Sequence, residues 1–348
     1  MKQAVLISPG RLEVVDAPLP EVGAGQALVA VLAAGICGSD LHMFKEGSIG
    51  GIALADAGGP LVPGHECMGR VERVGAGADP GLVGRRVFIE PAINCGQCRW
   101  CLAGKPNVCP HHTFLGLPGQ GGCLAQYIVH PTRLCEPLPD DVSDDAGVLL
   151  EPLAIAVHSL DRLAVAAGSA VAVLGAGPIG LVHTMLLARD ATAPLIVTDV
   201  LDYRLELARR LGATHVLNPR REDVPAAVAQ ITGGDGADFV FECAGQPETF
   251  EQMVRIAAPA GRVGVLGIHG DDRLPFTHSQ ARRKGLDVLM IRRANLTFGR
   301  ALTRLRDEHL PADLLATHHW PLEKCQQAFE TAAAYRDGVV KGIIRPWE

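Results

Sequence analysis

Cys95, Cys98, Cys101 and Cys109 stand in a C-x2-C-x2-C-x7-C pattern. Spacing this tight lets one loop wrap one ion, and four thiolates suit a closed tetrahedral zinc site of the structural kind. An iron–sulfur cluster is the alternative, because ferredoxins also begin C-x2-C-x2-C. Their usual fourth cysteine, at x3 and followed by proline, is missing here, and the x7 gap carries Gly104-Lys105-Pro106. A second set of donors is dispersed. Cys37 lies in Gly35-Ile36-Cys37-Gly38-Ser39-Asp40-Leu41-His42, His65 and Glu66 follow Gly64, and Glu151 lies in Leu150-Glu151-Pro152. One thiolate, one imidazole and a carboxylate make a mixed shell with room for an open position, the pattern of catalytic zinc. Each of these residues has a plainer reading alone, since a lone cysteine is usually core. Their joint presence beside the four-cysteine run carries the case.

Gly175-Ala176-Gly177-Pro178-Ile179-Gly180 fits G-x-G-x-x-G. In a glycine-rich chain the pattern alone is weak. Here it follows the apolar run Ala170 to Leu174, opens a helix-like segment, and is followed nineteen residues past Gly180 by Asp199. Such glycines permit a tight turn and close backbone approach, and the helix N-terminus receives a pyrophosphate. A carboxylate at Asp199 accepts hydrogen bonds from a ribose 2′-hydroxyl and repels a 2′-phosphate, which favours NAD over NADP.

These groups need elements to hold them. The first ~150 residues read as short strands between Gly and Pro turns, including Leu28 to Leu32, Gly69 to Val74 and Arg86 to Ile89, as in a barrel-like or sandwich-like β domain. The texture changes near Pro152. Ala170 to Leu174, Leu195 to Thr198, Phe239 to Phe241, Val263 to Leu266 and Val288 to Ile291 alternate with helical segments, Gly180 to Arg189 and Tyr203 to Leu211 among them. That alternation predicts a doubly wound parallel sheet. A helix-like stretch from Ile291 to Arg306 follows, then a tail with the strand-like Gly342-Ile343-Ile344, expected to pack back on the N-terminal domain.

The chain has 348 residues, a length that suggests roughly two domains. Hydrophobic residues make up 48% and charged residues 20%, which excludes a largely disordered, collagenous or coiled-coil protein. Lys+Arg 32 against Asp+Glu 38 gives a net charge of −6, with no block of like charge. Nucleic acid and anionic membrane are therefore not expected as main partners. The uncharged stretch from Leu163 to Val182 is membrane-helix length, but four glycines and a proline break it into strand, turn and helix. With no targeting signal read, the expected address is the cytoplasm, where thiols stay reduced. Cys67, Cys123, Cys135, Cys243 and Cys325 are then packing residues.

Together these motifs resemble the zinc-dependent medium-chain dehydrogenases/reductases of the alcohol dehydrogenase superfamily, and among them the sorbitol (L-iditol) dehydrogenase-like branch. The resemblance spans essentially the whole chain and extends to Phe241-Glu242-Cys243-Ala244-Gly245 and His319-Trp320-Pro321-Leu322-Glu323. It implies an α/β protein: a GroES-like β-rich catalytic domain at 1–152 with a structural zinc lobe at about 91–112, a Rossmann NAD-binding domain at 153–290, and a segment 291–348 returning to the catalytic domain. Cys37 and His65 match the zinc ligands, and Glu66, Glu151 or an intervening water completes the shell. A cysteine commonly stands at the Glu151 position in alcohol dehydrogenases of this family, and a glutamate there suits the polyol, threonine and sugar branches. Asp40 resembles the carboxylate that orients the zinc histidine, Ser39 the hydroxyl that receives the substrate proton, and His42 the far end of that relay. Arg204 resembles an adenosine-ribose contact. Arg292, or Arg293 in a shifted register, resembles an arginine that contacts the polyol.

The expected activity is oxidation of a secondary alcohol of a polyol or sugar derivative, with two zinc ions per chain, NAD, a small-molecule alcohol or polyol substrate, and a homodimer or homotetramer. A threonine, butanediol or sugar-1-dehydrogenase would share every motif. A non-catalytic nucleotide-binding protein or a zinc- or redox-sensing module is the reading from another class.

Overall fold

The computed structural model describes residues 1–190, 193–270 and 273–348. The chain divides into two compact units, Met1–Glu151 with Ala312–Glu348, and Pro152–Pro311. The division falls inside the Asp144–Leu163 helix, at Pro152.

The first unit is built on a seven-stranded sheet. Its main path runs Cys135–Pro137, Arg86–Ile89, Glu66–Val74, Gln26–Gly35, Lys341–Arg345, Ala316–Pro321, with Tyr127–Pro131 also pairing Gln26–Gly35. The Gln26–Gly35 strand, QALVAVLAAG, is buried along almost its whole length, which is why its sequence is a continuous apolar run. The Glu66–Val74 strand begins wholly buried and turns outward at Arg70, Glu72 and Arg73. Register places Gly35 opposite Glu66 on one side and Ile343 on the other. The tail is thus a strand of the N-terminal sheet, added antiparallel to residues that precede it by some three hundred positions.

The second unit holds a six-stranded sheet of parallel pairs. Counted from Val171–Leu174 in chain order, its spatial order is 3-2-1-4-5-6, the doubly wound arrangement with its topological switch between the first and fourth strands. The Leu163 to Val182 stretch resolves into a helix end, this first strand, the glycine turn and the Pro178–Arg189 helix. Among the described residues no helix is long and apolar enough to cross a membrane.

The segment after the last parallel strand departs from its sequence expectation. The helix covers Phe298–Asp307, not the whole of 291–306. Arg293 and Leu296 have φ of 52° and 56°, and left-handed residues cannot continue a right-handed helix. The Thr297 hydroxyl donates to the Ala154 carbonyl at 2.7 Å, and Arg304 pairs with Asp190 at 2.6 Å. These ties keep 291–311 in the second unit, so the return to the first begins at Ala312 and not at 291.

Candidate metal and coenzyme sites

The four-cysteine lobe brings its sulfurs together. Cys95 lies 4.0 Å from Cys101 and 3.5 Å from Cys109, and Cys98 lies 3.6 Å from Cys101 and 3.8 Å from Cys109. A tetrahedron with metal–sulfur bonds of about 2.3 Å has sulfur–sulfur edges of about 3.8 Å, so this cage fits zinc. The backbone N–H groups of Gln97 and Cys98 favour the Cys95 thiolate and lower its pKa to about 6. All four donors are used within the lobe, which leaves no position for a substrate.

Ligand atoms of Cys37, His65 and Glu66 also lie within 4.8 Å of one another. One buried carboxylate organises them. Asp40 sits in the first turn of the Gly38–Glu46 helix, where its Oδ2 accepts the Cys37 N–H at 3.0 Å. Its Oδ1 accepts the Gly64 N–H at 3.1 Å and lies 3.7 Å from His65 Nδ1. Asp40 therefore ties the helix start that carries Cys37 to the loop that carries His65. Burial alone would raise the pKa of Asp40, but His65 and the Cys37 and Gly64 N–H groups outweigh it and hold the carboxyl ionised. Burial likewise opposes charge on His65, yet the Cys37 sulfur and Asp40 push its pKa well above the ordinary value. A metal dication would displace that proton, and the thiol, imidazole and carboxylate donors suit zinc.

Glu151 is buried but stands outside that three-residue group. Ser39 is half-buried in the first turn of the same helix as Asp40. His42, one turn on, has its Nδ1 3.3 Å from Glu46, so its ring is directed along the helix to a carboxylate. Sequence reasoning missed Lys341. Its Nζ donates to Glu66 Oε2 at 2.5 Å and to the Ile36 carbonyl at 3.1 Å, and the side chain is fully buried. Burial alone would lower its pKa, but Glu66, Cys37 and Glu151 outweigh it and keep the amine charged. The one sequence signal was a lysine interrupting the apolar tail Val339-Val340-Lys341-Gly342-Ile343-Ile344.

In the second unit the glycines meet specific requirements. Gly175 has φ of 99°, and Gly177 caps the helix that Pro178 and Ile179 begin. A Cβ at Gly180 would lie 1.8 Å from the Gly175 carbonyl oxygen, so only glycine allows the helix this close to the turn. Asp199 Oδ2 accepts the Ala176 N–H at 2.8 Å and Oδ1 accepts the Leu201 N–H at 2.9 Å, with Arg204 Nη1 at 3.9 Å from Oδ2. Across the topological switch, Glu242 Oε1 accepts the N–H groups of Ala244 and Gly245 and the Thr249 hydroxyl. Arg292 is exposed, just past the last parallel strand. The five packing cysteines are all buried.

Comparison with known proteins agrees with this geometry. Residues 23–140 match the alcohol dehydrogenase GroES-like domain, and residues 178–307 match the zinc-binding dehydrogenase domain. Sorbitol dehydrogenase of Bacillus subtilis (strain 168) is 31% identical over 99% of this chain and 97% of its own length. L-threonine 3-dehydrogenase of Chromobacterium violaceum is 33% identical over 98% and 97%. A crystal structure of a short chain alcohol dehydrogenase from Escherichia coli CFT073, complexed with NADH, superposes with a TM-score of 0.91 at 28% identity, covering 99% of both chains. The chain therefore belongs to the zinc-binding dehydrogenases of the alcohol dehydrogenase family, oxidoreductases that join a GroES-like domain to a Rossmann-like domain.

Proposed function

We propose that this enzyme oxidises a secondary alcohol of a polyol or sugar derivative, with NAD as hydride acceptor and zinc at Cys37, His65 and Glu66. When bound, zinc supplies Lewis acidity toward the substrate oxygen, and the nicotinamide supplies the hydride acceptor. The observation that carries the reading is the convergence of Cys37, His65 and Glu66 around the buried Asp40. Asp40 fixes the imidazole so that its other nitrogen is presented to the metal. Ser39 takes the substrate proton and His42 passes it toward solvent. Gly175, Gly177 and Gly180 let the backbone approach the pyrophosphate, and Asp199 with Arg204 holds the adenosine ribose. A second zinc in the Cys95, Cys98, Cys101 and Cys109 cage keeps the lobe folded.

For the substrate, likeness to a sorbitol dehydrogenase supports a polyol. Glu151 adds a buried polar group able to bond a neighbouring hydroxyl, and the exposed Arg292 is proposed as a polyol contact on the resemblance to the sorbitol dehydrogenase branch alone. A site built for several hydroxyls rejects simple alcohols, because each unpaired buried polar group costs ~1–3 kcal/mol. Likeness to an L-threonine 3-dehydrogenase supports threonine as the second reading. The test is a panel of polyols, sugar acids, threonine, butanediol, ethanol and 2-propanol, followed by NADH absorbance. Polyols or sugar derivatives should lead in kcat/KM, and Arg292→Ala should lower their turnover more than that of 2-propanol. A panel led by threonine or unsubstituted alcohols would sink the polyol assignment and leave the dehydrogenase chemistry standing.

A further inference from the structure

Lys341 and Glu66 form an ion pair with each residue only 1% exposed. Among the described residues no other lysine or arginine is so buried. Stability alone does not account for such a pair, because well-packed apolar residues of similar volume are often as stable or more so. Its placement gives a reason. The ammonium bonds Oε2 of Glu66 and also the carbonyl of Ile36, the residue next to Cys37. A Cβ at Gly35 would lie 2.5 Å from the same Oε2, so a glycine makes the room in which that oxygen is held. Oε1 of Glu66 has no hydrogen bond among the described residues and is the oxygen left for a metal.

We propose that Lys341 is a positioning residue for the metal: it holds one oxygen of Glu66 so that the carboxylate meets zinc through the other oxygen alone, as a weak and exchangeable ligand. The inference rests on the zinc reading of Cys37, His65 and Glu66. A carboxylate shared with an ammonium gives up less charge to a metal than an isolated one. It also cannot close on the ion with both oxygens, so a coordination position stays available to the substrate. Thiolate and carboxylate together cancel the charge of a zinc dication, and Lys341 restores one positive charge beside it.

The experiment follows zinc transfer from the full-length holoenzyme to a chromogenic chelator, with turnover measured in parallel. The release phase of this site is the one that Cys37→Ser abolishes. In Lys341→Met that phase should slow about tenfold or more, the scale on which groups behind a metal's ligands act, and kcat should fall while the KM for NAD is unchanged. Lys341→Arg should restore both rates. Placed on Glu66→Gln, Lys341→Met should leave release unchanged. A merely structural lysine would instead give a lower melting temperature with unchanged or faster release, and that result overturns the proposal. Should Lys341→Met fail to fold, cobalt exchanged into the unmutated enzyme gives the second measurement. Strong four-coordinate visible bands are expected, and the weak bands of a five-coordinate ion held by both carboxylate oxygens overturn the proposal. Absence of any Cys37-dependent metal would remove the zinc reading itself, whereas Cys37-dependent metal with unaltered release removes only the role of Lys341.

Discussion

Replacing Asp199 should do more than relax the choice between NAD and NADP, because its carboxylate also shapes the coenzyme turn. Both oxygens accept backbone N–H groups, Ala176 at 2.8 Å and Leu201 at 2.9 Å. Ala176 is the second residue of the glycine turn, so the bond to it sets the path of the chain at the turn proposed above for the pyrophosphate. The side chain is only 8% exposed, which limits replacement of these bonds by water. A hydrogen bond to a charged group contributes about 1.5–3 kcal/mol. Asp199→Asn keeps one acceptor oxygen and turns an NH2 toward the other N–H, so one such bond is lost. At about 1.4 kcal/mol per factor of ten, NADH should bind roughly 10- to 100-fold more weakly. NADP escapes the carboxylate's repulsion and gains exposure to the Arg204 guanidinium, 3.9 Å from Oδ2, but meets the same loosened turn. The NAD/NADP ratio of kcat/KM should therefore fall, with NADP rising by no more than a few-fold. Fluorescence titration with NADH and NADPH, paired with initial rates, measures both quantities. Unchanged NADH affinity in a folded Asp199→Asn enzyme, or a preference of the unmutated enzyme for NADP, would refute the reasoning.

Gly180→Ala puts a methyl group 1.8 Å from a backbone oxygen that cannot rotate away. An overpacking cost of ~1–3 kcal/mol should appear as a KM for NAD raised about tenfold, with zinc content intact by elemental analysis. Cys101→Ser should leave one zinc per chain and lower the melting temperature by roughly 5 °C or more. Cys37→Ser should also leave one zinc but cost activity more than stability, so equal melting losses in the two variants would contradict the separation of roles. Acid stability should follow two buried histidines. Burial lowers His130 and His183 to about 4, each a linkage of ~3 kcal/mol. The unfolded chain takes these protons first as pH drops, so stability present above pH 6.5 is lost progressively toward pH 4. Glu90 acts in the opposite direction, because burial raises it to about 7 and its ionised form disfavours the fold as pH rises from 4.5. Two histidines against one glutamate predict a falling thermal midpoint between pH 6.5 and pH 4.5, and His183→Gln should flatten it.

Much of this protein is legible from local pattern. The cysteine lobe is short enough that its spacing alone closes the cage. The glycine turn, its flanking strands and Asp199 belong to one contiguous strand–turn–helix–strand unit, so their geometry follows from neighbours in sequence. Strand runs such as Val171–Leu174 declare themselves because burial on both faces demands unbroken apolar residues. What depended on distant chain segments was decided only in three dimensions. The approach of Glu66 to Cys37 is set by the register of Glu66–Val74 against Gln26–Gly35, and a register is a long-range property. The break before Phe298 follows from left-handed residues at Arg293 and Leu296, neither of them a glycine that would have announced the turn. Lys341 reads in sequence as an isolated charge in an apolar tail, the kind that normally points to solvent. It becomes the partner of Glu66 because the tail strand is laid beside Gln26–Gly35, and no local propensity encodes a pairing across 275 residues.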